Sequence, residues 1–153
     1  MSIASPPYPA GRNLLAGKTV LVTAAAGTGI GFATAKRCAE EGAQVMISDI
    51  HERRLGEAAA SLSAITGRPT PHRICNVTRE AEVQALVDAA ASELGRIDVL
   101  VNNAGLGGHA RLVEMTDEQW SVVLDVTLNG TFRMTRAALR HMLPRRAGVI
   151  VNN

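Results

Sequence analysis

From Lys18 onward the chain alternates short apolar runs, rich in β-branched residues, with longer segments whose apolar positions return at helical spacing. The runs at 18–24, 44–49, 72–77, 97–104 and 148–153 are expected strands. Most of them are apolar without polar alternation, the pattern of strands covered by helices on both faces. Strands and helices alternating in this way build β-α-β units around a parallel sheet. The expected fold class is therefore α/β, a doubly wound parallel sheet.

The helical segments carry punctuation at their ends. The first is expected from about Ile30 to Glu41 and stops at Gly42, where a residue without Cβ can close the last turn. The second, over about 52–65, sets Leu55, Ala58, Ala59 and Leu62 on one face. The third takes Thr78 as its N-cap, places Glu80 and Glu82 in its first turn, and repeats Val83, Leu86, Val87, Ala90 and Leu94 before Gly95. Thr116 with Gln119 forms a capping box that opens a fourth helix, expected to run to about Met142 before Pro144.

Composition narrows the partners. The 153 residues, 46% apolar and 20% charged, fit about one domain with a buried core. Sixteen basic residues against 14 acidic ones are too even a balance to attract nucleic acid, and 3% aromatics leave no stacking platform for single-stranded bases. No apolar run approaches the roughly 18 residues of a membrane span. The start, MSIASPPYPAGRN, has no apolar signal core, so residues 1–16 are expected to form a proline-containing tail ahead of a domain over 17–153. Cys38 and Cys75 make no C-x-x-C pair and have no histidine at ligand spacing. Both read as buried thiols of a reducing compartment, with a cytoplasmic location and no metal site expected.

The candidate chemistry begins at VLVTAAAGTGIGFATA (20–35), which runs directly from strand through a small-residue turn into a helix. Gly27, Gly29 and Gly31 let the backbone turn sharply and approach a pyrophosphate, whose charge would be held by the unpaired N–H groups where the helix opens at Ile30. The next strand ends at Asp49, about twenty residues on, where a carboxylate would accept hydrogen bonds from adenosine ribose hydroxyls. A 2′-phosphate in the same place would meet that carboxylate with a repulsion of about 4 kcal/mol at an effective dielectric of about 20, which favours NAD over NADP. Arg53 and Arg54 follow closely enough to weaken that preference, unless they lie on a solvated helix face.

At VNNAG (101–105) the sequence resembles the short-chain dehydrogenase/reductase superfamily, over nearly everything from about Leu15 to Asn153, including the run WSVVLDVTLNGTFRMTRAAL (120–139). The resemblance implies a Rossmann-type sheet, NAD as cofactor with NADP second, and a secondary alcohol or ketone as substrate, with a sterol-derived or acyl-CoA ketone the nearest guess. It implies that Asn102, Asn103, Ala104 and Gly105 close the fourth strand and line the adenosine side, with Asn76 and Val77 at the adenine. It also implies a homo-oligomer through the 117–142 helix in the full-length protein.

Three positions depart from the family pattern. In T-G-x-x-x-G-x-G, Ala25 falls at the first glycine and Thr23 stands one residue early, so either Ala25 keeps φ negative or Gly27 takes over the tight turn. Asn76 stands where the family usually has Asp; its amide oxygen is expected to accept the bond from the adenine amino group. Thr127, in Val126-Thr127-Leu128-Asn129-Gly130, occupies the family's catalytic asparagine position, while Asn129 would point about 200° away.

The family's proton-transferring tyrosine, its lysine partner and its substrate-holding serine have no counterparts. The one tyrosine is Tyr8, and the lysines are Lys18 and Lys36, so no Y-x-x-x-K exists. On this resemblance the chain is expected to be the cofactor-binding portion of a dehydrogenase, truncated after the fifth strand and inactive alone. A non-catalytic dinucleotide-binding module and a Rossmann-like methyltransferase remain as alternatives, the latter disfavoured by VNNAG. His109 in the following loop reads as a solvated histidine or a substrate-side group. Arg133, Arg136 and Arg140 share a helix face that is either solvated or meets an acidic substrate or partner subunit.

Overall fold

The computed structural model describes residues 6–107 and 110–153. The strands are β1 (Thr19–Val22), β2 (Gln44–Asp49), β3 (His72–Ile74), β4 (Val99–Asn102) and β5 (Val149–Asn152). The helices are α1 (Ile30–Glu40), α2 (Glu52–Thr66), α3 (Glu80–Glu93), α4 (Asp117–Leu124) and α5 (Gly130–Met142). All strand pairs are parallel, in the order β3-β2-β1-β4-β5. The chain winds outward from β1 to one side, crosses back, and continues from β4 on the other side, which is the doubly wound arrangement expected from the pattern.

The strands divide two cores by their pleat. Val20 and Val22 of β1, with Val45, Ile47 and Val101, pack against Ala35 and Ala39 of α1 and Leu55, Ala58 and Leu62 of α2. Leu21, Met46 and Leu100 face the other way, onto Val83, Leu86 and Val87 of α3 and Met134, Ala137 and Ala138 of α5. Both faces of the central strands are thus covered, so alternation of polar residues would place unpaired polar groups in a core.

Several boundaries move. The expected strand at 72–77 ends at Ile74, and its three residues are exposed at the sheet edge. The run 97–104 contributes only Val99–Asn102, and Asn103 onward leaves the sheet. Thr78 is not the N-cap of α3: Arg79 takes that position without a side-chain cap, while Thr78 donates its hydroxyl to Asn76 Oδ1 at 2.8 Å. The capping box at Thr116 forms as expected, with both of its hydrogen bonds present.

The expected fourth helix is two helices separated by a π-helical turn, Asp125–Asn129. The Arg133 guanidinium causes this locally. It donates to the Asp125 carbonyl at 3.3 Å and to the Asp125 carboxylate at 2.8 Å, while reaching Val77 O at 3.4 Å. A side chain inserted on a helix carbonyl opens the ladder there. The same guanidinium, followed by the Asn129 amide, holds the Asp125 carboxyl below the usual aspartate range.

The expected tail touches α1 at Tyr8, Pro9 and Ala10. Arg37 donates to Pro9 O at 2.6 Å, the Tyr8 hydroxyl donates to Glu40 at 2.6 Å, and the Lys36 ammonium sits 5.2 Å from the centre of the Tyr8 ring. Glu41, buried and paired with Arg37, accepts from the backbone N–H groups of Arg12 and Leu14 at 2.8 and 3.1 Å. Those two N–H groups, Leu14 foremost, hold its carboxyl below the ordinary glutamate range. Among the described residues no helix is long and apolar enough to cross a membrane, and no cluster could hold a metal ion.

Candidate functional site

The turn between β1 and α1 is built almost entirely from backbone. Thr23, buried, donates to Val101 O and accepts from Asn103 N and Ala104 N at 2.9 and 3.1 Å, tying the end of β1 to the end of β4. Ala24 then takes φ +50°, a left-handed conformation that costs a residue with a Cβ about 1 kcal/mol or more. Ala25, at the position where glycine was expected, is fully buried with its N–H on Ser48 O at 3.0 Å. The strain weighed for Ala25 therefore falls one residue earlier, at Ala24, and Gly27 makes the sharpest turn with φ +117°.

Gly31 is excluded from carrying a side chain for a different reason. A Cβ there would collide with the Ala24 carbonyl and with the Asn103 amide nitrogen. Asn103 Nδ2 itself donates to Ala24 O at 3.0 Å and Thr23 O at 3.2 Å, so helix α1 enters the crevice by passing directly over this bond. At Gly27 and Gly29 a Cβ would meet nothing within 4 Å, which leaves open space before the helix end. Gly29 caps α1 without a side chain, and no acidic residue stands in the first turn. An exposed helix N-terminus with no carboxylate of its own attracts an anion.

Beside the turn opens a cavity of about 850 Å³ lined, among others, by Ala24, Asp49, Asn76, Val77, Ala104 and Gly105. The sequence-derived residues thus fall into two groups. Asp49, Asn76, Val77, Ala104 and Gly105 line this cavity, whereas Thr23, Ala25, Gly27, Gly29, Ile30, Gly31 and Asn103 do not line it and belong to the glycine turn and the bonds that hold it. Asp49 is 8% exposed and accepts on both carboxylate oxygens, from Ala26 N at 3.0 Å and His51 N at 3.1 Å. Asn76 Oδ1 already accepts from Thr78 N at 3.0 Å and from its hydroxyl, which occupies both lone pairs of the oxygen expected to receive the adenine amino group.

Other residues line the cavity that pattern reading passed over: Ile50, His51, Cys75, Ser121, Val122, Asp125 and Val126. Those from α4 and the π turn could not be placed while the fourth helix was read as continuous. Cys75 is buried in the wall, and burial, helped by Glu82, pushes its thiol up to about 12, so it stays protonated and inert. Cys38 is only half-buried. Of the two arginines after β2, Arg54 lines the cavity, whereas Arg53 pairs with Glu57 at 2.7 Å on the outer surface.

Thr127 is exposed on the π turn and accepts from Leu106 N at 3.2 Å, which ties the β4–α4 loop to the turn. Asn129 donates to Asp125 and also borders the cavity. The basic face of α5 is solvated at Arg136 and Arg140, and all three arginines have partners within the chain: Arg133 holds Asp125, Arg136 pairs with Glu80 at 2.8 Å, and Arg140 donates to Gln84 at 2.6 Å. His109 lies outside the described residues.

A family model described as short chain dehydrogenase matches residues 18–153. The chain belongs to the short-chain dehydrogenase family. It is 59% identical over 145 residues to the (5R,7aS)-5-hydroxy-7a-methyl-1-oxo-2,3,5,6,7,7a-hexahydro-1H-indene-carboxyl-CoA reductase of Mycobacterium tuberculosis, covering 94% of this chain and 55% of that protein. The chain spans about half the length of the curated relatives it matches. A crystal structure of a short chain dehydrogenase from Mycobacterium smegmatis superposes with a TM-score of 0.93 at 52% identity, covering 98% of this chain and 63% of that one. NAD+-bound xylitol dehydrogenase gives 0.84 at 36% identity, covering 90% and 52% of the two chains. An actinorhodin polyketide ketoreductase with NADPH gives 0.82 at 37%, covering 87% and 51%.

Proposed function

We propose that this chain binds NAD across the β1–β4 crevice, and that the whole protein is an oxidoreductase moving hydride between the nicotinamide and a secondary alcohol or ketone. One observation carries the reading: the glycine turn is held open in front of an uncapped α1 N-terminus, beside a cavity that ends on a buried carboxylate at β2. The backbone N–H groups from Gly29 through Gly31 hold the pyrophosphate, with Gly27 shaping the approach. Asp49 keeps one lone pair on each oxygen after its bonds to Ala26 and His51, and these accept from the ribose hydroxyls.

At the adenine the role expected for Asn76 changes. With its oxygen engaged by Thr78, the amide offers Nδ2 as a donor, suited to a ring nitrogen of adenine rather than its amino group. Val77, Ala104 and Gly105 supply the apolar and backbone walls around it. The bound dinucleotide supplies the hydride acceptor or donor. Thr127 stands on the far side of Gly105, its hydroxyl bound to Leu106 N, and we assign it the positioning of that loop rather than a proton relay.

NAD is favoured over NADP because a 2′-phosphate would approach Asp49, with Arg54 in the same cavity narrowing the margin. Calorimetric titration should give at least tenfold tighter binding of NAD, and equal or reversed affinities would overturn the role given to Asp49. With no Y-x-x-x-K among its 153 residues, the chain by itself is not expected to reduce NAD with any alcohol. The methyltransferase alternative is set aside by the family match over 18–153.

The likeness to the mycobacterial reductase supports a ring ketone carried as a CoA thioester as the substrate class of the whole protein. The exposed apolar side chains Trp120, Leu128 and Phe132 along α4–α5 support a homo-oligomer through that segment.

A further inference from the structure

We propose that Asp49 is a positioning residue for the glycine turn, holding it in shape through the Ala26 and His51 amides independently of any contact with ribose. The turn Ala24-Ala25-Ala26 has no side chain able to form a hydrogen bond, and its first residue sits in a left-handed conformation that alanine does not prefer. Such a backbone persists only where its surroundings over-determine it. Here the determinants come from outside the turn and from opposite sides. Asn103, following β4, pulls on the carbonyls of Thr23 and Ala24. From β2, Ser48 O receives Ala25 N, and Asp49 Oδ2 receives Ala26 N at 3.0 Å.

The second carboxylate oxygen extends the tie. Oδ1 accepts from His51 N at 3.1 Å, where the chain turns from β2 into α2. One buried side chain thus joins two loops that flank the same cavity. A carboxylate serves both because each oxygen is an acceptor, whereas an asparagine of the same shape would set an NH2 group against one of the two N–H donors.

The consequence for cofactor choice rests on the nucleotide-binding reading above. Removing the charge at position 49 is the obvious way to admit a 2′-phosphate, and the same substitution releases the turn that faces the pyrophosphate. Specificity and turn geometry are therefore coupled in one side chain, and Asp49→Asn alone would weaken both dinucleotides instead of exchanging one for the other.

The test is amide hydrogen exchange by NMR on the isotopically labelled 153-residue chain without nucleotide. In Asp49→Asn the Ala26 amide should exchange at least tenfold faster, with the β1 amides of Leu21 and Val22 unchanged. Exchange of Ala26 at the original rate in the folded variant would overturn the proposal. If the variant does not fold, the unmodified chain still decides the matter. A scalar coupling across the hydrogen bond, from the Ala26 amide nitrogen to the Asp49 carboxyl carbon, should be observed. Its absence while the strand couplings are seen would overturn the proposal equally. Both readings are taken without nucleotide, so failure of NAD to bind would leave them standing, and their failure would leave NAD binding standing.

Discussion

The turn after β1 and the turn after β4 leave adjacent strands at the same crevice, yet they are held in different ways. The first is bonded to Ser48 and Asp49 on one side, to Asn103 on the other, and is crossed by Gly31 at a distance that admits no side chain. In the second, Gly105, Leu106 and Gly107 are exposed, and Leu106 N donates to Thr127. The difference follows the demands on each. On the function proposed above the first turn faces a pyrophosphate, and a site fixed in advance needs no reorganisation of water around that group. The described part of the loop after β4 is exposed, as segments that meet variable chemistry commonly are.

The comparison is most directly broken at Gly31. In Gly31→Ala the new methyl meets a carbonyl and an amide that are already bonded to each other, and neither can retreat without disturbing Ala24. A loss of about 3 kcal/mol in unfolding free energy is expected, as for overpacking against a fixed neighbour, with NAD binding lost beyond detection by calorimetry. A variant that binds NAD normally would mean that the turn yields easily.

Acid should loosen the end of α1 opposite the turn. The Glu41 carboxyl is depressed by the N–H groups of Leu14 and Arg12 and then by Arg37. A depressed carboxyl contributes stability in full above its unfolded-state value, about 4.3, and that contribution disappears as pH falls through the lower folded-state value. Urea unfolding followed from pH 7 to pH 3 should show a decline below about pH 4 that is shallower in Glu41→Gln. Identical slopes would show that the segment before β1 is held by something other than this carboxylate.

The smallest effect is expected at Thr127→Ala, which removes one exposed hydrogen bond and should cost under about 1 kcal/mol. A larger loss would mean that the loop after β4 is as rigid as the turn after β1.

What was legible in the sequence follows the same division. Leu55, Ala58, Leu62, Val83, Leu86 and Val87 were readable as buried because each answers to the period of its own helix, and the structure buries all of them. Asp49, Gly27 and Gly31 were readable because their spacing follows from the β-α-β unit itself. The break at Asp125 was not, since it depends on Arg133 eight residues away meeting a carbonyl of its own helix. The commitment of Asn76 to Thr78, which displaced that threonine from capping α3, is likewise a local contest between two polar side chains that propensity does not settle. Nor could the contact of Tyr8 and Pro9 with α1 be seen, because the residues involved are ordinary helix-surface lysine, arginine and glutamate.

The central claim is that the α1 N-terminus and the neighbouring cavity hold NAD, and amide shift mapping on titration of the labelled chain tests it most directly. The largest shifts should fall on Gly29, Ile30 and Gly31, with a second group at Asn76, Val77 and Ala104. Shifts concentrated instead on Trp120, Leu128 and Phe132, with the glycine turn unmoved, would contradict it.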